Sequence, residues 1–188
     1  MADQNIGETE EMSDDSFPQD EEVTETDFNL DEEYKEDPLA PNGGYTGVIR
    51  KVLFESKNNA IRWDVVAAGN SGISMLDGET PLNGTVFFFR NWLPKPGDDK
   101  VRTKSGKSTK RQSKINMLKQ FQDIMEVDMN TPEAVKESIE NAEWIGISVF
   151  FQLSIDEYQG RKRNVIDKMS RLDEDIEMPE DSDEEAPF

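Results

Sequence analysis

Residues 85–93 read TVFFFRNWL, a run in which most side chains are β-branched or aromatic. Such residues fit a pleated, half-buried surface, so the segment predicts a strand. Because successive side chains of a strand point to opposite faces, Phe88, Arg90 and Trp92 share one face. A face that carries a charged guanidinium does not suit a core, so we expect both rings to be exposed. The open alternative is that the rings pack under a helix or at a dimer contact, since a one-residue error in register exchanges the two faces.

Four more strands are predicted around this one. Residues 45–54 and 61–68 are rich in Val and Ile and are joined by a short polar turn, which predicts a hairpin. Residues 144–155 (WIGISVFFQLSI) predict a fourth strand, and a Gln-Gly turn leads into a fifth at residues 161–169. The segment between the second and third strands and the segment that follows the third strand are rich in Gly, Ser, Asn and Lys. We expect both to form loops.

Alternation along these strands separates core from surface. In the fourth strand every second residue from Ile145 to Ile155 is apolar, and this face is expected to be buried. Trp144, Ser148 and Phe150 lie on the other face, which makes the Phe150 ring a second candidate for exposure. In the second strand Trp63 lies between Ile61 and Val65 on one face, and we expect its ring in the core.

Two helices are predicted between the third and fourth strands. Apolar residues recur at helical spacing from Ile115 to Met125. Thr131 followed by Pro132 has the form of an N-cap with proline at the first helical position, so a second helix is expected over residues 132–141. The order β-β-β-α-β-β is that of the oligonucleotide-binding (OB) barrel, although other five-stranded folds share it. We therefore expect a mainly β fold, a five-stranded OB-fold-like barrel with one or two helices between strands 3 and 4.

Charge divides the 188-residue chain into three parts. The formal net charge is −20, but it is concentrated at the ends. Residues 1–38 hold 16 acids and one base, residues 173–188 hold nine acids and no base, and residues 39–172 hold 20 bases and 16 acids. Acidic segments with few apolar residues cannot bury enough surface to fold. We expect a disordered acidic N-terminal tail (1–38), a folded domain (39–172) and a disordered acidic C-terminal tail (173–188).

A basic segment runs from Arg90 to Lys119, with ten bases against two acids. Glycines and serines separate the bases, so the segment cannot bury its charges, but it could contact a phosphate backbone and release counterions. A smaller basic group follows the turn between strands 4 and 5. The alternative is a solvated loop that balances the acidic tails. The candidate nucleic-acid-binding residues are Phe88, Arg90, Trp92, Lys95, Lys100, Arg102, Lys104, Lys107, Lys110, Arg111, Lys114, Phe150, Arg161, Lys162 and Arg163.

Catalytic and metal sites find little support in the composition. The chain has no Cys and no His, which removes thiolate chemistry, the commonest general base and the commonest metal ligand. No phosphate-binding glycine loop with the G-x-x-x-x-G-K-[ST] spacing occurs. Asp64, Asp77 and Glu79 could hold Mg²⁺ in principle, but no spacing supports such a site. We expect a protein that is not an enzyme and has no cofactor, no metal and no membrane segment, located in the cytoplasm.

The C-terminal segment carries the most specific motif. Its last eight residues are DSDEEAPF, an acidic run that ends in Pro-Phe. A terminal Phe ring can enter an apolar pocket on a partner while its carboxylate meets a basic residue there, and the upstream acids can steer the approach. The candidate partner-binding residues are Asp181, Asp183, Glu184, Glu185, Pro187 and Phe188.

This tail resembles the C-terminal tip of bacterial and phage-encoded single-stranded DNA-binding proteins, and the strand order is similar to the barrel that those families share. The resemblance implies sequence-nonspecific binding of single-stranded DNA. It also implies recruitment of replication, recombination and repair proteins through the tail, in a bacterial cell or a phage-infected host. The long acidic N-terminal segment departs from the bacterial pattern. Two other readings stay open: an acidic DNA mimic, and a protein-interaction module that does not bind nucleic acid. The residues do not separate RNA from DNA.

Overall fold

The fold was obtained as a computed structural model, which describes residues 36–177. Its elements are β1 (Gly43–Glu55), β2 (Ala60–Ala67), β3 (Val86–Trp92), α1 (Lys110–Met125), α2 (Pro132–Glu140), β4 (Ser148–Tyr158) and β5 (Arg161–Arg171). The predicted order, three strands, two helices and two strands, is confirmed. Most of both predicted tails lies outside the described residues.

The five strands form one antiparallel sheet in the order β3-β2-β1-β4-β5. The central strand β1 pairs with β2 through Gly47–Glu55 and with β4 through Gly43–Val48, so it turns from one neighbour to the other along its length. A register shift between Ile49 and Lys51 marks a bulge at that point, and bulges bend a strand and increase its twist. The outer strands β3 and β5 approach each other. No backbone pairing joins them among the described residues, so the sheet is open and the predicted barrel is shown only in part.

Gly47 lies where β1 passes from β2 to β4. A Cβ atom at this position would come within 3.0 Å of the carbonyl oxygen of Val66, a backbone atom that cannot move aside. It would also meet the Phe151 ring at 3.0 Å. Only glycine therefore allows the two strands and the core ring to approach β1 this closely.

The core lies on one side of the sheet under α1. Trp63 is fully buried, as predicted, and its Nε1 donates a hydrogen bond of 2.7 Å to Oδ1 of Asn91. Its ring centroid lies 5.1 Å from that of Phe121 on α1 and 5.0 Å from that of Trp144. The Asn91 bond satisfies the one polar atom of the indole, so the ring can be buried without an unpaired donor.

Trp144 corrects one prediction. It was expected to begin the fourth strand on the exposed face, but β4 begins at Ser148 and Trp144 is buried. Gly146 has a φ of +86°, in the left-handed region, which interrupts the extended backbone before the strand. The chain upstream is therefore free of the strand alternation, and the Trp144 ring stacks on Trp63 instead.

Both helices begin at a capping threonine. The Thr109 hydroxyl accepts a hydrogen bond of 3.1 Å from the backbone N–H of Gln112, and the Thr131 hydroxyl accepts one of 3.1 Å from Ala134. The predicted N-cap of the second helix is confirmed. Neither helix is long and apolar enough to cross a membrane, a finding that covers residues 36–177.

Candidate nucleic-acid interface

The three aromatic side chains that the sequence selected are exposed on the side of the sheet opposite the core. Phe88 and Trp92 on β3 are 43% and 47% exposed, while Phe87 and Asn91, on the other face of the same strand, are buried. Phe150 on β4 is 41% exposed and lies opposite Thr46 of β1. The predicted exposure of all three rings is confirmed. We call this side of β1 to β4 the aromatic face.

Four charged residues on the aromatic face form one ion-pair network. Arg90 binds Glu55 through two hydrogen bonds, of 2.9 Å from Nε and 3.0 Å from Nη2. Arg62, which lies opposite Arg90 on β2, binds Asp64 in the same way at 2.8 and 3.0 Å. Arg62 also lies 3.6 Å from Glu55, which links the two pairs. Two guanidinium groups thus meet two carboxylates, and the network is balanced in charge.

The network fixes the protonation of its members. The hydrogen bond from Arg90 lowers the pKa of Glu55 from 4.5 to about 2, against the effect of burial, so its carboxylate stays ionised at neutral pH. Hydrogen bonding to Asp64 raises the pKa of Arg62. The Arg62 guanidinium also lies 4.9 Å from the centroid of the Phe88 ring, which orients that ring from one side.

Arg90 therefore differs from the free phosphate ligand that the sequence suggested. Its guanidinium is already held by Glu55, and two of its five N–H donors are used in that pair. Glu55 was not identified from the sequence because it is 35 residues away from Arg90 along the chain. The signal that could have found it is the hairpin register, which brings the end of β1 to the start of β2 beside Arg62 and Arg90.

A second region, the basic insertion, comprises residues 94–111 and joins β3 to α1. Asp98 organises its base: the Asp98 carboxylate accepts a 2.8 Å bond from the backbone N–H of Lys95 and a 2.8 Å bond from Nζ of Lys114. The same Nζ donates 2.9 Å to the carbonyl of Leu93. The hydrogen bond from Lys114 and, after it, the one from the Lys95 N–H lower the pKa of Asp98. Lys114 is therefore a clamp that ties α1 to the end of β3, and its charge is used inside the protein.

The outer part of the basic insertion is a narrow hairpin, where the sequence predicted an irregular loop. Arg102 pairs with Thr109 in an antiparallel bridge. The backbone N–H of Thr103 donates a hydrogen bond of 2.9 Å to the carbonyl of Ser108. The N–H of Gly106 donates one of 2.8 Å to the carbonyl of Thr103. This arrangement places the basic residues at the rim of a small turn with their side chains in solvent. The exposed bases that make no ion pair within 4.0 Å to another described residue are Lys95, Lys100, Arg102, Lys104, Lys107, Lys110 and Arg111.

The β4–β5 hairpin carries the third basic group, Arg161, Lys162 and Arg163. All three are exposed. Arg163 lies opposite Asp156 and pairs with it at 3.3 Å, and its guanidinium lies 5.1 Å from the centroid of the Tyr158 ring. Tyr158 is exposed and was not among the predicted residues, although alternation along β4 places it on the same face as Phe150.

Two of the three candidate Mg²⁺ ligands, Asp64 and Asp77, make other contacts. Asp64 is bound to Arg62, and Asp77 accepts bonds of 3.0 Å from the backbone N–H groups of Glu79 and Thr80 and one of 2.5 Å from the Thr80 hydroxyl. The Thr80 bonds lower the pKa of Asp77. Between residues 36 and 177 there is no group of three or more acidic side chains that could hold a metal ion.

The chain after β5 crosses back over the sheet. Leu172 donates a 2.9 Å backbone hydrogen bond to the carbonyl of Ser148, and the backbone N–H of Ile176 donates 2.8 Å to the Ser148 hydroxyl. The Ile176 side chain covers Gly69. Ser148 lies on the predicted face, but these contacts bury it. Residues 172–177 therefore pack on the domain, beyond the boundary predicted at residue 172.

The predicted partner-binding residues Asp181, Asp183, Glu184, Glu185, Pro187 and Phe188 lie outside the described residues. No protein-family model matches the chain, and no curated protein matches it at a significant level. The geometry of the aromatic face and the basic insertion is thus what a functional proposal can rest on.

Proposed function

We propose that this protein binds single-stranded DNA without sequence preference and performs no chemistry on it. One observation carries the proposal: three exposed aromatic rings beside a charge-balanced ion-pair network lie in the same domain as an insertion whose exposed cations make no ion pair with another described residue. Phe88, Trp92 and Phe150 leave apolar surface exposed and none of them belongs to the core, which is typical of a binding surface.

The two regions suit the two parts of a single strand. Base–aromatic stacking is tolerant of sequence, because every base has a π-face, and the aromatic face offers exposed rings next to arginines that are already paired. The basic insertion offers point charges without rings, which suits phosphates. A duplex keeps its base faces stacked inside the helix and can use only the second region. Preference for single strands follows from this division.

The topology supports an OB-type barrel as the scaffold. The strand order β3-β2-β1-β4-β5, the helices between β3 and β4 and the approach of β3 to β5 are what a five-stranded barrel requires. We propose that the sheet closes by this route. In OB folds the face of strands 2 and 3 and the loops between strands 1 and 2 and between strands 4 and 5 bind oligonucleotides. Here Phe88, Trp92 and the basic β4–β5 hairpin occupy those places.

The acidic C-terminal tail supplies the second half of the proposal. Its residues Asp181 to Phe188 recruit replication, recombination or repair proteins to DNA that the domain protects, in the cytoplasm of a bacterial cell or a phage-infected host. The negative charge of residues 173–188 steers basic partner surfaces and repels free nucleic acid from the tail itself.

The test is fluorescence anisotropy of a labelled dT oligonucleotide titrated with the full chain, repeated with duplex DNA and with oligo-U. We expect tight binding to dT, much weaker binding to duplex and a steep loss of affinity with salt. Failure to bind dT at low salt, or equal affinity for duplex, would contradict the proposal and favour a DNA mimic or a protein-interaction module. Equal affinity for oligo-U would extend the ligand class to RNA.

A further inference from the structure

The Phe150 ring reaches across the sheet to Gly44. Phe150 lies directly opposite Thr46, and Gly44 is two residues further along β1 on the same face. A Cβ atom built on Gly44 would come within 3.0 Å of both Cζ and Cε2 of the ring. The tip of the ring therefore occupies the space that any other residue at position 44 would fill. The ring lies low over the β1 backbone, and its other side faces solvent, since the side chain is 41% exposed.

This contact is not explained by core packing. The core side of β4 is provided by Val149, Phe151 and Leu153, which are almost completely buried. Phe150 points the other way, where a polar residue would be the ordinary choice for a solvent-facing sheet. A ring that is held low and half exposed has one flat surface available, which is the arrangement that base stacking needs.

We propose that Gly44 is a positioning residue, which keeps the Phe150 ring low on the aromatic face so that it stacks one nucleobase. The inference rests on the proposed function and adds a residue that contacts no DNA itself. It also extends the stacking surface from β3 to β4, across the full width of the four strands β3, β2, β1 and β4.

Gly44 can be tested without unfolding the protein. Its φ lies outside the left-handed region, so alanine can adopt its backbone conformation. The atoms that a new methyl group would meet are the far end of a side chain, which can rotate away. Alanine also restricts the unfolded chain more than glycine does. Gly44→Ala should therefore move the Phe150 ring while leaving the unfolding midpoint close to that of the unchanged chain.

The experiment is a double-mutant cycle in the full chain with Gly44→Ala, Phe150→Ala and both together, measured by dT affinity and by thermal unfolding. We expect Phe150→Ala to weaken binding by roughly 5- to 100-fold, the range for one stacked base. Gly44→Ala should lose a comparable factor, and the double variant should bind no worse than Phe150→Ala alone. Gly43→Ala is the matched control, because the three atoms nearest to a Cβ there all belong to the Tyr45 side chain and none to Phe150.

Three outcomes overturn the inference: unchanged affinity of Gly44→Ala, losses that add in the double variant, or an equal loss in Gly43→Ala. If the unchanged chain binds dT and one of these results is found, the positioning role fails and the proposed function stands. If the unchanged chain does not bind dT at all, the proposed function fails, and this inference fails with it.

Discussion

The aromatic face and the basic insertion use basic residues in opposite ways. On the aromatic face Arg62 and Arg90 are each bound by two hydrogen bonds to a carboxylate, so their charges are neutralised and their planes are fixed. In the basic insertion the bases at the hairpin rim have no carboxylate partner within 4.0 Å among the described residues, whereas Lys114 on α1 is paired with Asp98. A count of basic residues along a segment therefore does not show which cations are available to a ligand. The placement of carboxylates does.

The largest effect should come from removing the β3 rings. For the double variant Phe88→Ala/Trp92→Ala we expect dT affinity to fall by about 2–6 kcal/mol, from about 1–3 kcal/mol for each stacked base. The salt dependence should stay the same, because no charge is removed. Anisotropy titration at one salt concentration measures the loss. Phe54→Ala is the matched control, an aromatic side chain that is 50% exposed at the end of β1 on the other side of the sheet. An equal loss in that control would mean that exposed rings in general, and not this face, account for binding.

The second prediction concerns the ion-pair network, from which Glu55→Gln removes one carboxylate. In Glu55→Gln the pair with Arg90 loses its negative partner. Because the folded-state pKa of Glu55, about 2, lies below the ordinary value of 4.5, its ionisation stabilises the fold above pH 4.5, and this stabilisation is lost as the pH falls towards 2. We expect urea unfolding to show a difference from the unchanged chain of at most about 3 kcal/mol at pH 7, which narrows between pH 4.5 and pH 2.

Glu55→Gln should also change the salt dependence of DNA binding. Arg90 without its carboxylate becomes a free cation beside Phe88 and Trp92, so the slope of log affinity against log salt should steepen by about 0.7 for single-stranded DNA. A stability difference that does not change with pH would show that Glu55 is not the carboxylate that Arg90 stabilises. An unchanged salt slope would show that the freed guanidinium does not reach a phosphate.

How far the sequence predicts these regions depends on whether the signal is local. The five strands, the second-helix cap at Thr131 and the exposure of Phe88, Trp92 and Phe150 follow from alternation and capping within a few residues, and all are confirmed. Trp144 was misplaced because Gly146, which has a left-handed backbone, keeps the extended strand from beginning before it. Alternation of side chains does not reveal such a break. An open sheet was likewise not predicted, since strand pairing at the edges is decided between distant segments.

The site was predicted less completely than the fold for the same reason. The pairs of Arg90 with Glu55 and of Lys114 with Asp98 join positions 35 and 16 residues apart, and they give two of the expected phosphate ligands a carboxylate partner within the protein. The return of Ile176 to Ser148 spans 28 residues, so the charge pattern of the tail did not indicate where packing ends. Tyr158 could have been identified from alternation, but its contact with Arg163 depends on the β4–β5 register.

The two helix caps provide a smaller test. Thr109 begins α1, which carries Lys110 and Arg111 next to the hairpin, whereas Thr131 begins α2, which carries no candidate site residue. We expect Thr109→Ala and Thr131→Ala each to lower the free energy of unfolding by about 1 kcal/mol, because each leaves one helix-terminal N–H without its acceptor. Only Thr109→Ala should weaken dT binding, by a few-fold at most. If both caps affect binding equally, the position of the basic insertion is not what the Thr109 cap maintains.

The most direct test of the division between the two regions is the salt dependence of dT affinity in three full-length chains: unchanged, Lys104→Gln/Lys107→Gln and Phe88→Ala/Trp92→Ala. If the hairpin lysines contact phosphates, the lysine variant should show a slope of log affinity against log salt that is shallower by about 1.4, or about 0.7 for each cation. The aromatic variant should keep the slope of the unchanged chain while binding far more weakly. A lysine variant with an unchanged slope, or an aromatic variant with a shallower one, would contradict the account.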